Sequence, residues 1–117
     1  MKKVGLVMTM LIISVSIFAQ KHVEKKTNYF VDAAVEEFSL NEEQKTALYN
    51  LYFAQTKEVS LFNKEVKAGT KTKEQRTAFY KANTQKLYDM LIAYTGKKKK
   101  ELKPFMDRVR NELKNIK

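Results

Sequence analysis

The chain has 117 residues, no cysteine, no tryptophan, a single histidine and a formal charge of +10. These figures exclude a disulfide-stapled scaffold, a cysteine nucleophile and a zinc centre built from cysteine and histidine. They leave one basic domain that must rely on an apolar core, with a charge that bears on solubility and on attraction for anionic partners.

Lys2 and Lys3 precede an uncharged, mostly apolar run from Val4 to Phe18, followed by Ala19, Gln20 and the charged Lys21. That layout predicts a bacterial Sec-type secretory signal peptide over residues 1–19, cut after Ala19 or, because Ile17 is not small, after Ser16. The alternative is an uncleaved anchor, but the run is shorter than the roughly 20 apolar residues that a membrane span needs. No cysteine follows it to carry a lipid. The expectation is export to the periplasm as a protein with no membrane segment after cleavage, and residues 20–117 form one all-α domain.

Four helices follow from helical periodicity. The first is expected over residues 28–38, where Phe30, Val31, Ala34, Val35 and Phe38 share a face. The second spans 42–67. Asn41 can accept from the first-turn amides while Gln44 reaches back, and Glu42 and Glu43 place negative charge at the positive helix end. Gly69 supplies a left-handed stop. The third spans 73–94, opened by Thr72 with Gln75 and striped by Phe79, Leu87, Met90, Leu91 and Tyr94. The fourth covers 96–116, with Leu102, Phe105, Met106, Val109, Leu113 and Ile116 on one face. Pro104 falls within it, so either Thr95 caps a helix that bends at Pro104 or Pro104 opens a shorter helix. Short connections imply antiparallel neighbours. A second helix of this length predicts an elongated hairpin or bundle, or an extended dimer, rather than a sphere.

No constellation for catalysis is present. His22 stands beside the expected cleavage site, in what reads as a frayed terminus. The paired acids Glu36-Glu37 and Glu42-Glu43 are adjacent and point to different sides of a helix. The glycines cannot form a phosphate cradle, Met90 and Met106 lie on core stripes, and no metal or cofactor set emerges.

The basic and aromatic residues are more informative. Leu48, Leu51, Val59, Phe62 and Val66 fill one broad face of the second helix. Tyr49 and Phe53 fall on the other side, in the sector of Lys57, Ser60, Lys64 and Lys67. Such an aromatic pair among lysines is either packed against the first helix or a second copy of the chain, or free to hold an apolar segment while attracting acidic chain. The run Lys97, Lys98, Lys99 and Lys100 is either a solvated helix junction or a basic rim that collects negatively charged partners. Nucleic acid is not expected, for want of any recognition motif and because exported proteins seldom meet it.

The stretch Leu40-Asn41-Glu42-Glu43-Gln44 resembles the LTxxQ signature of the Spy/CpxP family of periplasmic proteins. Leu40 and Gln44 match, and Asn41 stands where that family usually has threonine. Both residue types cap helices. The family often carries a second copy near its C-terminus, where this chain has Tyr94-Thr95-Gly96-Lys97-Lys98 and only Thr95 matches. The resemblance implies a bent helical hairpin that dimerises into a cradle, with a basic, partly apolar concave face that holds unfolded proteins without ATP. It also implies a link to envelope stress. Some relatives bind a sensor kinase, which gives the alternative of a regulatory or structural protein with one envelope partner. Others bind zinc, which a single histidine and no cysteine do not suit.

Overall fold

A computed structural model describes residues 21–116. The expected signal peptide lies outside the described residues. Every regular element among them is a helix. Residues 21–38 (α1) are helical, followed by α2 (Glu42–Lys67), α3 (Lys73–Thr95) and α4 (Lys99–Leu113). The chain is an elongated antiparallel bundle, with a radius of gyration of 16.6 Å and extents of 54 × 33 × 25 Å. A compact domain of this size has a radius near 13 Å.

Local chemistry sets most of the boundaries. At α2 the Asn41 side chain accepts from the Gln44 N–H at 2.8 Å, and Gln44 Oε1 accepts from the Asn41 N–H at 3.0 Å. At α3, Thr72 and Gln75 repeat the arrangement at 3.1 and 2.8 Å. Each box satisfies two amide groups that a helix start otherwise leaves open. Gly69, at φ 82°, turns the chain after α2, and Gly96, at φ 70°, ends α3. Ser39 makes the first turn in the left-handed region, at φ 53°.

Three details depart from the sequence reading. The first helix reaches back over residues 21–27, burying Val23 and Thr27 and leaving His22 exposed within the helix rather than in a frayed end. Glu24, Lys25 and Lys26 mask that stripe in the sequence. Thr27 tolerates burial because its hydroxyl donates to the Val23 carbonyl one turn back, at 2.7 Å. Thr95 does not cap the fourth helix. It closes α3, donating to the Leu91 carbonyl at 2.7 Å and accepting from the Lys97 N–H at 3.1 Å. The last helix therefore starts at Lys99 and runs through Pro104 to Leu113. Pro104 is exposed, so the Lys100 carbonyl that it deprives of a donor can be hydrated.

Contacts climb one helix as they descend its neighbour. Between α2 and α3 they join Gln55 to Asn83, Phe62 to Phe79 and Asn63 to Tyr80. Between α1 and α4 they join Phe38 to Phe105 and Glu37 to Arg108. Phe30 is the pivot of the core: its ring stacks on Tyr52 of α2 at 4.2 Å between centroids and tilts against Phe105 of α4 at 6.0 Å. Around it lie Val31, Ala34, Leu40, Leu48, Leu87, Leu91, Leu102, Met106 and Val109, all buried. This core is built from the sequence-predicted stripes of α1 and α4, from Leu48 of the predicted α2 face, and from Leu87 and Leu91 at the far end of the α3 stripe. All of it sits at one end of the molecule.

Candidate functional site

The buried core takes nothing from residues 56–82, every one of which is exposed or half-buried. The last twelve residues of α2, the turn and the first half of α3 therefore form a two-helix arm. At 1.5 Å per residue it projects by about 18 Å. Seven basic residues (Lys57, Lys64, Lys67, Lys71, Lys73, Arg76 and Lys81) outnumber Glu58, Glu65 and Glu74 along it. Among the described residues, none of the salt bridges involves this arm.

Three apolar side chains of the arm gather in one place. Phe62 and Phe79 stack at 4.7 Å with an interplanar angle of 10°. With Leu61, Glu58 and Glu65 they line a shallow open trough. Leu61 is 54% exposed, the most exposed large apolar side chain among the described residues. Lys71 lies over the Phe62 ring at 5.6 Å, which keeps a cation beside the trough. Tyr80, 37% exposed, donates to Asn63 Oδ1 at 3.1 Å.

The sequence-predicted residues divide into three groups. Lys57 and Lys64 are exposed on the arm. Tyr49 and Phe53 stack on each other at 5.9 Å, but both are half-buried and Tyr49 packs against the core. Of the two alternatives, packed or free, the pair meets neither fully: the fold covers both rings in part. α2 is covered from two directions, by α3 and, through the Phe30–Tyr52 stack, by α1. The motif residues Leu40, Asn41 and Gln44 serve the fold: Leu40 is buried in the core and the other two form the cap.

The lysine run is split by the α3–α4 junction. Lys97 and Lys98 lie in the connection, whereas Lys99 and Lys100 open α4, and all four are exposed. Lys98 occupies the cap position without a side-chain hydrogen bond, so cations crowd the positive end of a helix. Lys99 is held. Its Nζ donates to Gln85 Oε1 at 3.0 Å and lies 5.0 Å above the Tyr88 ring. This tie to α3 offsets part of the unfavourable dipole. Lys97, Lys98 and Lys100 are exposed and make no salt bridge among the described residues.

Sequence reasoning missed the Leu61, Phe62, Phe79 and Tyr80 cluster as a site, because Phe62 and Phe79 read as core positions. The available signal was length: α2 and α3 outrun α4, and the Gly69 turn between two capped helices marks a tip whose residues are all exposed or half-buried. Among the described residues, no three His, Asp or Glu side chains converge on a common point, and no helix is long and apolar enough to cross a membrane. Comparison of the chain with protein-family models, curated proteins and solved structures finds no match.

Proposed function

We propose that this chain is an exported, non-catalytic, ATP-independent chaperone-like protein that binds non-native proteins in the bacterial envelope, as its resemblance to the LTxxQ family implies. The observation that carries this reading is the arm: exposed and half-buried apolar side chains set among cations that form no salt bridge among the described residues. An unfolded chain with net negative charge is drawn by the lysines over a distance of roughly one Debye length, about 8 Å at physiological salt. Leu61, Phe62 and Phe79 then contact its apolar residues in the trough. The trough is shallow, so it removes little area from water and binding stays weak. Weak binding lets the client leave and fold. A dimer that sets two arms side by side would form the cradle of the family, with Lys97, Lys98 and Lys100 as an outer rim.

The test is aggregation of a reduced model protein, reduced α-lactalbumin, at low and high salt. Protection that falls with salt and is weakened by Leu61→Ser or by Lys57→Gln with Lys64→Gln supports the reading. Absence of protection at any ratio rejects it, and capture of a single envelope protein without general protection favours a regulator with one partner.

A further inference from the structure

The seam between α2 and α3 changes character at the root of the arm. Below it, Leu48, Leu87 and Leu91 are buried in the common core. At the root itself the two inward residues are polar: Gln55 is 7% and Asn83 8% exposed. Gln55 Nε2 donates to the Asn83 carbonyl at 3.0 Å, whereas Asn83 Nδ2 is buried with no hydrogen-bond partner among the described residues. A buried donor without an acceptor loses its water and gains nothing in return. It recovers a partner only when water reaches it. The closed seam is therefore penalised at this point, and opening removes the penalty.

Above that point little joins the two helices. Across the seam lie the Phe62–Phe79 stack and the hydrogen bond from Tyr80 to Asn63. No salt bridge among the described residues crosses the arm, and no residue of it is buried. Few buried apolar contacts and a solvent-exposed backbone are the marks of a segment that opens at far lower free energy than the whole molecule. Isolated helical segments of about 10–12 residues are marginal in water, so the arm depends on the packing that this seam provides.

We propose that residues 56–82 unfold and refold as a cooperative unit of their own, with the Gln55–Asn83 pair as its boundary, while the four-helix end stays intact. The boundary confines the opening: past it, each further turn would have to uncover Leu48, Leu87 and Leu91. The open state presents Val59, Phe62, Val66 and Phe79 along a flexible chain. That consequence rests on the binding function proposed above, whereas the opening itself does not.

Native-state hydrogen exchange on the full chain, resolved by peptide, tests this. Amides of residues 59–66 and 76–82 are expected to exchange at least about 100-fold faster than those of 87–92 and 102–109. Asn83→Leu removes the orphaned donor and is expected to slow exchange in the arm by about tenfold, leaving the four-helix end unchanged. Equal protection of arm and bundle in the wild-type protein would overturn the proposal, with or without a folded variant. So would an arm that exchanges fast but is indifferent to Asn83→Leu and to Gln55→Leu, since the boundary would then lie elsewhere. Aggregation protection is a separate readout: a chain that fails to protect but shows the split exchange pattern refutes the binding reading alone.

Discussion

Phe30→Ala is the sharpest test of how the bundle is held. The Phe30 ring is 3% exposed and is shared by three helices, through Tyr52 of α2 and Phe105 of α4. A buried phenylalanine removes on the order of 150–200 Å² from water, worth about 4–5 kcal/mol at 25 cal/mol per Å². Alanine keeps a small part of that, while the cavity and the lost ring contacts add to the cost. The expected loss is about 3–5 kcal/mol, a large share of the 5–15 kcal/mol that holds a typical domain. Urea unfolding followed by circular dichroism should show the midpoint falling by about 2 M, for a slope of about 1–3 kcal/mol per M. Phe30→Leu fills most of the space and should cost about 1–1.5 kcal/mol. If Phe30→Ala cost less than about 1 kcal/mol, α1 would not be docked on α2 and α4 through this ring, and the core would not be gathered around it.

Three further outcomes are expected. Lys98→Asp supplies the side-chain acceptor that the start of α4 lacks and reverses an unfavourable charge, so it should stabilise the protein by about 1 kcal/mol, read as a higher melting temperature. Gly96→Ala meets open space but must hold φ near 70°, so it should destabilise by about 1 kcal/mol through the backbone alone, checked by the same melt. Burial, partly opposed by the Thr56 hydrogen bond and by Arg110, raises the Tyr52 hydroxyl above its ordinary value of 10.0. Its neutral form is favoured in the folded state, and the unfolded chain loses this proton first. The contribution is therefore complete below pH 10 and declines as pH rises through and beyond it. Tyr52→Phe should flatten the part of the alkaline stability curve that this group supplies, measured by urea unfolding from pH 8 to 11; an unchanged curve would remove Tyr52 from that role.

The helical class and the core stripes were legible because their signals are local. Asn41 with Gln44 and Thr72 with Gln75 are three residues apart, and Phe105, Met106 and Val109 repeat at helical spacing. The start of α1 was not legible, since a buried threonine that bonds its own backbone looks polar and Glu24, Lys25 and Lys26 hide Val23. Nor was the junction at Gly96, where a left-handed glycine overrode Thr95 as a cap. The site was half legible. Lys57 and Lys64 follow from charge and position, but whether Tyr49 or Phe62 meets solvent depends on how far α1 and α4 extend along their neighbours. That is a fact of tertiary structure that no periodicity within α2 contains.

The core lies wholly at one end of the molecule, a division of labour with a practical use. Substitutions near Gly69 touch no residue on which cohesion depends, so the distal surface is free to diversify while the base keeps the chain folded. A library varied at Lys57, Leu61, Lys64 and Lys71 would change the charge and apolar exposure of the arm without reaching any residue of the buried core. The same asymmetry makes the base a portable handle, onto which other helical hairpins of matching register can be spliced at Gln55 and Asn83.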